Sequence, residues 1–309
     1  LIYMQNSGLG NAVNPLLSLA DKEVFGIPMI ILIGWRGEPG TKDEPQHVKQ
    51  GKVLLPMIKS MELPYKVLTG DMNQDQKAIT TLIDEVESNK TPGFLIAKTG
   101  VFTSYDHMPI IHSEERKLSK NREQVIQEVL VSLPPKSLVV ATTGMASREI
   151  FEYRKNNGES YGFDFLVVGG MGHASQIALG LSTQSGNKNI ICIDGDGAAL
   201  MHLGALAISG QIASKNYKHI VINNGSHDSV GGQPTVAFDI DLNTLARSVG
   251  FNVIEHDGLN IASAIRQLLC ADGPVFLELK VRRGSRKDLG RPTKSPKDNK
   301  ELFMKNFKS

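Results

Sequence analysis

Cysteine is nearly absent, with only Cys192 and Cys270 in 309 residues. Both sit in apolar stretches without metal-type spacing. That argues against a disulfide scaffold or a zinc ribbon and reads as two buried, reduced thiols, with a cytoplasmic location expected. Charge of one sign is missing too: 34 Lys and Arg stand against 32 Asp and Glu, a formal net charge of +2. So mild a balance gives no footing for nucleic acid or a membrane surface. No apolar run reaches the roughly 18–20 residues that a bilayer span needs. The opening "LIYMQNSGLG" has no basic segment and only a short apolar run, so it does not read as a secretory leader. Short-period repeats are also lacking. With 40% hydrophobic and 21% charged residues, an ordinary globular protein long enough for two domains is left.

Short apolar runs alternate with longer periodic stretches along the whole chain. Strands are expected at 1–5, 28–33, 65–68 and 93–97, with helices at 11–19, 46–60 and 74–88. A polar stretch without periodicity follows, and 104–122 reads as a linker. Beyond it a helix is expected at 123–132, strands at 137–142, 165–168, 190–193, 219–222 and 275–280, and helices at 173–181, 200–214 and 261–269. The fold class is α/β: two domains, 1–103 and 123–309, with mostly parallel sheets flanked by helices. The basic tail from Arg282 is read as an ordered flap or a frayed end.

The run "ICIDGDGAAL" (191–200) stops in the turn Gly195-Asp196-Gly197. A helix-length stretch follows, then the strand "KHIVINN", which ends in Asn223-Asn224. The 25 residues between Gly197 and Asn223 fit one helix plus one strand. The acid and the Asn pair are thus expected at the C-terminal ends of neighbouring parallel strands, where open α/β sheets bind ligands. An Asp carboxylate, an Asn carbonyl and a backbone carbonyl suit octahedral Mg²⁺. The glycines let a diphosphate approach the backbone, and a helix starting at Ala198 adds its positive end. A bare Gly-Asp-Gly is also ordinary turn chemistry, and the Asn pair is what sets this one apart.

A GDG turn, a helix and NN at this distance resemble the signature of thiamine-diphosphate enzymes. "GWRGEPGTKDEPQHVKQG" (34–51), "GGMGHASQIALGL" (169–181), "GSHDSVGGQPT" (225–235) and "RRGSRKDLGRPT" (282–293) narrow the resemblance. They look like the decarboxylases of 3-substituted pyruvates, phosphonopyruvate decarboxylase and its relative sulfopyruvate decarboxylase, over essentially the whole chain.

The resemblance implies that the first domain binds the aminopyrimidine of thiamine diphosphate and the second its diphosphate. It implies Mg²⁺ on Asp196, the Asn224 side chain and the Ser226 main-chain carbonyl, with Asn223 passed over because the family uses the second Asn. "TTGMAS" (142–147) resembles the diphosphate loop, which makes Thr143 and Gly144 cofactor candidates beside Gly195, Gly197 and Ala198. A plain strand-to-helix cap is the other reading of that loop. Met171 matches the apolar wedge between the two cofactor rings, and the Gly169 carbonyl the acceptor for the 4′-amino group. His47 matches a histidine over the substrate, while His227 and Asp228 are pocket candidates. Arg36, Arg286, Lys287 and Arg291 are the cations for a small anionic 2-oxo acid. His107, His112, His202, His219 and His256 read as structural or surface residues, and His173 as a weaker candidate.

The expected reaction is decarboxylation of 3-phosphonopyruvate to phosphonoacetaldehyde and CO₂, in phosphonate biosynthesis. The alternatives are sulfopyruvate or another 2-oxo acid, or a chain that holds the cofactor without turnover. The last arises because the family's activating Glu lies upstream of the segment corresponding to Leu1. The sequence therefore reads as lacking an N-terminal piece, with weak cofactor binding and poor turnover expected. A dinucleotide fold has only "GLGNAV" (8–13) in its favour, without a third Gly. The family shares each cofactor between two chains, so a homo-oligomer is expected.

Overall fold

The computed structural model describes residues 1–103 and 117–308. It divides into two compact units, Leu1–His107 and Met108–Ser309. Most of the expected linker lies outside the described residues, as do His107 and His112.

The first unit carries β1 (Ile2–Gln5), α1 (Leu9–Pro15), β2 (Met29–Gly34), α2 (Pro45–Ser60), β3 (Tyr65–Leu68), α3 (Met72–Asn89) and β4 (Pro92–Ala97). Its four strands are parallel in the order β1-β2-β4-β3. Every residue of β4 is buried, which is why "PGFLIA" reads as a continuous apolar run rather than an alternating one. Leu9, Ile31, Ile33, Leu54, Ile58, Phe94 and Ile96 form the core on one face. Leu68, Leu82, Val86 and Leu95 close the other. The Asp71 side chain caps α3 by accepting from the Gln74 N–H at 2.9 Å. The helix expected at 11–19 is α1 followed by a π-type turn over Leu16–Ala20.

The second unit begins with α4 (Arg122–Ser132), β5 (Leu138–Ala141), α5 (Met145–Asn156), β6 (Asp164–Leu166), α6 (Ala174–Ser182) and β7 (Ile190–Gly195). It continues with α7 (Asp196–Met201), α8 (Gly204–Ile212), β8 (Tyr217–Asn223), the short pair β9 (Ser226–His227) and β10 (Gln233–Pro234), and α9 (Leu242–Ser248). It ends with β11 (Asn252–Ile254), α10 (Ile261–Cys270), β12 (Val275–Lys280) and α11 (Pro296–Lys308). Six parallel strands line up as β11-β12-β8-β7-β5-β6. The chain steps from β5 outward to β6, then returns to the other side of β5 as β7. The C-terminal ends of β5 and β7 therefore flank a topological switch point, where such sheets open a crevice. Residues of α4, α5 and α10 pack on one face of this sheet, and residues of α6, α8, α9 and α11 on the other.

Three expectations change. The single helix over 200–214 is two, α7 and α8. The chain bends at His202 (φ −128°, ψ 45°), whose ring packs edge-on against His173 at 4.5 Å between centroids. The tail is not frayed: it ends in α11, which buries Asn299 and Phe303. Cys270 is exposed and only Cys192 is buried.

Candidate active site

The loops after β5 and β7 and the segment after β8 meet at the switch point. They line an open cleft with about 430 Å³ of empty space, walled by Thr142, Thr143, Met171, Gly195, Asp196, Gly197, Ala198, Asn224, Ser226, His227 and Asp228. These eleven positions come from four separate stretches of sequence, Met171 following β6, and all but Thr142 were candidates; Arg122, Met145, Ala146, Ile222 and Ser229 also line the cleft and were not. Gly144 adjoins the cleft, as the residue before α5.

Asp196 is 1% exposed. Its Oδ2 accepts from the Thr235 hydroxyl at 2.5 Å and its Oδ1 from the Asn224 N–H at 3.3 Å. Burial pushes its carboxyl up, against the pull of Thr235. A cation in the cleft would reverse that cost by pairing with the ionised form. The two neighbouring asparagines have different work. Asn223 is spent on the core, with its amide donating to Glu278 Oε1 at 2.6 Å and to the Ala237 carbonyl at 3.2 Å. Asn224 lines the cleft, and its Nδ2 donates to Asp228 Oδ2 at 2.7 Å. That donation fixes which end of the amide is nitrogen; the carbonyl oxygen accepts from the Ser226 N–H at 3.2 Å and has a second lone pair for a metal.

Asp228 is held in turn. Its Oδ2 also accepts from Arg122 Nη1 at 2.8 Å and from the Gly284 N–H at 3.0 Å. Arg122 forks onto Glu149 through Nε and Nη2, each at 2.9 Å to the nearer oxygen. Burial would lower this guanidinium, but Glu149 and Asp228 outweigh it and raise its pKa. Arg122 had been assigned to the linker, and neither it nor Glu149 nor Thr235 was singled out. A signal for Arg122 existed: Asn121 and Gln124 form a capping box that starts α4 at Arg122.

The fit to a cation and a diphosphate rests on three observations. The hydroxyls of Thr142 and Ser226 are buried in the cleft without a hydrogen-bond partner, so ligand oxygens or donors would complete them. Gly144 has φ +97°, and a Cβ there would stand 2.9 Å from Ser229. A Cβ on Gly197 would stand 2.4 Å from the His227 ring. Both positions are therefore closed to a side chain, because Ser229 and His227, themselves lining the cleft, pack directly onto the backbone there. The Gly195 N–H is taken by Asp194 Oδ1 at 3.0 Å, and α7, with only six residues, contributes little macrodipole. Thr143 is pinned as well, its Oγ1 accepting from the Gly169 N–H at 3.2 Å.

The remaining candidates lie elsewhere. In the first unit, Arg36 forks onto Asp43 through Nε at 2.9 Å and Nη2 at 2.6 Å, and His47 Nδ1 lies 3.0 Å from the same carboxylate. Arg36 holds Asp43 well below the usual carboxylate range. In the tail, Arg286 meets Glu123 at 3.0 Å and Asp288 at 3.2 Å, and pairs with Glu152. Three of the chain's own carboxylates therefore occupy its fork, which straps the tail onto α4 and α5 rather than holding a cation open for substrate. Lys287 and Arg291 are exposed on the same segment.

Comparison with known proteins meets this geometry at the same place. Residues 142–279, which hold the cleft's loops, match the thiamine pyrophosphate enzyme C-terminal TPP binding domain; thiamine pyrophosphate is thiamine diphosphate. The whole chain is 32% identical to a phosphonopyruvate decarboxylase of Streptomyces hygroscopicus, covering 97% of this chain and 76% of that protein. A phosphonopyruvate decarboxylase of Streptomyces viridochromogenes is 31% identical, over 97% and 77%. The chain belongs to the phosphonopyruvate decarboxylase family. A sulfopyruvate decarboxylase subunit beta of Methanothermobacter thermautotrophicus is 37% identical over 48% of this chain and 75% of its own length. The family places this chain among the thiamine-diphosphate-dependent carboxy-lyases. No helix of the described residues is long and apolar enough to cross a membrane.

Proposed function

We propose that this chain decarboxylates 3-phosphonopyruvate to phosphonoacetaldehyde and CO₂ with thiamine diphosphate and Mg²⁺. The observation that carries this reading is the pairing of a buried Asp196 with an Asn224 whose amide is oriented by Asp228, in a chain related end to end to phosphonopyruvate decarboxylases.

When bound, thiamine diphosphate supplies the electron sink that a 2-oxo acid needs to lose CO₂. The chain's own part is holding and shaping. Asp196, the Asn224 carbonyl and the Ser226 main-chain carbonyl would hold Mg²⁺ with hard oxygens, and the ion would supply positive charge for the diphosphate. Thr143, Gly144, Gly195, Gly197 and Ala198 seat the diphosphate. Met171 supplies an apolar support for the rings and the Gly169 carbonyl an acceptor beside it. His227 covers Gly197 and keeps water from the floor of the cleft. His47, with Asp43 on Nδ1, is held in one orientation, its other ring nitrogen left for substrate. Lys287 and Arg291 are the cations for carboxylate and phosphonate in this reading, while Arg36, its fork taken by Asp43, positions His47 through that carboxylate. A homo-oligomer follows from the family resemblance, in which two chains share a cofactor.

Sulfopyruvate is the second reading, favoured by the relation to the sulfopyruvate decarboxylase beta subunit. A sulfonate carries one negative charge where a phosphonate carries up to two. Side-by-side turnover of both substrates by the purified protein, with Mg²⁺ and thiamine diphosphate, separates them. A higher kcat/KM for phosphonopyruvate is expected, and preference for sulfopyruvate would reverse the assignment.

A further inference from the structure

Beneath the cleft, β7 and β8 carry a second group of ligand-type side chains. Cys192 lies opposite His219 in the parallel register, and Asp194 projects from the same face of β7 two residues on. One ligand atom from each of the three lies within 4.8 Å of the others. Exposures are 0% for Cys192, 1% for Asp194 and 0% for His219. Asp194 Oδ2 and both ring nitrogens of His219 have no hydrogen-bond partner. Asp194 Oδ1 accepts from the Gly195 N–H at 3.0 Å, which fixes the carboxylate with its other oxygen toward the histidine.

Packing accounts for the ring but not for its nitrogens. His219 sits among Phe276, Tyr217 and Phe251, with centroids 5.6, 5.9 and 6.3 Å away. A phenylalanine would fill that niche without burying polar atoms, whereas a neutral imidazole has an N–H that needs an acceptor. A buried carboxylate oxygen without a donor is costlier still. His219 Nε2 stands 3.6 Å from Asp194 Oδ2, too far for a hydrogen bond. Two ligands bound about 2.0–2.2 Å from one ion are about 3.3–3.8 Å apart at tetrahedral to trigonal angles.

We propose that Cys192, Asp194 and His219 bind a borderline divalent cation, Zn²⁺ by its ligand set, as a clamp between β7 and β8. A thiolate, a carboxylate and a neutral imidazole together carry two negative charges, which one divalent ion cancels, so the buried site is neutral. Sulfur and imidazole select a borderline ion over Mg²⁺. The ion itself draws the proton from a coordinating thiol. Three protein ligands leave the fourth position to water. The aromatic shell shuts the site off from bulk solvent and fixes the ring. The clamp ties together the two strands whose C-terminal ends carry Asp196 and Asn224, so it would set the spacing of the upper site without taking part in it.

The test is the metal content of the full chain, purified with Mg²⁺ and thiamine diphosphate present and measured by plasma mass spectrometry. One transition ion per chain is expected in the wild type and in Asp196→Ala, lost in Cys192→Ser and in His219→Gln. Protein grown on Co²⁺ should show a thiolate-to-cobalt charge-transfer band that Cys192→Ser removes. Wild type carrying only traces of transition metal would overturn the proposal. So would an ion retained in both ligand variants, or cobalt protein without the thiolate band. If the variants do not fold, the wild-type metal content and cobalt spectrum decide the question alone.

Discussion

Asp196 and Asp228 are both acids in the cleft, and their surroundings separate their roles. Asp196 has a hydroxyl and one long backbone contact, with burial working against its charge. Among the described residues no Lys or Arg pairs with it, and His227 is the basic neighbour acting on its charge. Asp196→Ala should therefore abolish the Mg²⁺ dependence of thiamine diphosphate binding, because the site loses its one charged ligand. Calorimetric titration with and without Mg²⁺ checks this, and unchanged affinity would remove Asp196 from the metal. Asp228 already has its cation in Arg122 and acts on Asn224. Asp228→Asn should weaken Mg²⁺ about 10–100-fold, as loss of a ligand's orienting partner does, while kcat at saturating Mg²⁺ stays near wild type. The opposite result, normal Mg²⁺ affinity with a collapsed kcat, would put Asp228 on the substrate instead.

At the scale of elements, strands and long helices were legible because burial leaves them continuous apolar runs or regular periods. β3 and β12 fall on their expected bounds, and α2 and α3 fall within two residues of theirs. What escaped the sequence had weak local patterns supported by distant partners. α5 opens on Gly144 in a conformation that no period announces, and α9 is seven residues long. α11 was hidden because its polar residues do structural work. Asn299, 7% exposed, accepts from the Leu166 N–H at 3.0 Å and donates to the Asp164 carbonyl at 2.9 Å. β6 is the sheet's edge strand, so one side-chain amide takes the place of a neighbouring strand. The cleft was legible where the chain spells it locally, as in Gly195-Asp196-Gly197 and Asn223-Asn224. It was not legible at Arg122, which reaches Asp228 across 106 positions of sequence. Asn299→Ala should cost about 1–3 kcal/mol, since it strands a buried donor and a buried acceptor. Urea unfolding measures it, and a midpoint equal to wild type would show that α11 docks through Phe303 alone.

For the whole molecule, the two units should answer acid with opposite signs. In the first, Arg36, with the Glu44 and Gly37 N–H groups and His47, holds Asp43 far below its unfolded value of about 3.9. A depressed carboxyl contributes stability that is fully present above the unfolded pKa and is lost as pH falls below it. Asp75, lowered first by the Thr69 N–H, adds in the same direction. In the second unit, burial raises Asp164 against Arg154, and raises Glu278 against the Asn223 amide. These carboxyls contribute most below their unfolded pKa and lose it as pH rises, so acid does not weaken the unit through them. Asp241 there has the sign of Asp43 through its bonds from Thr244, and being as exposed as Asp75 it offsets Asp75 rather than the more enclosed Asp43. The single tryptophan allows the units to be followed apart. Trp35 is 9% exposed, donates to the Gly51 carbonyl at 3.0 Å and belongs to the first unit. Between about pH 5 and pH 3, the thermal midpoint read by Trp35 fluorescence should fall faster than the main transition read by far-ultraviolet circular dichroism. Asp43→Asn should lower the fluorescence midpoint at neutral pH, by about 1–2 kcal/mol once the exposed Arg36 is discounted for screening. The same variant should flatten the acid slope, because the group that takes up the proton on unfolding is gone. Equal acid slopes for the two probes, or a slope that survives Asp43→Asn, would mean that the Arg36–Asp43–His47 cluster does not govern the acid stability of the first unit.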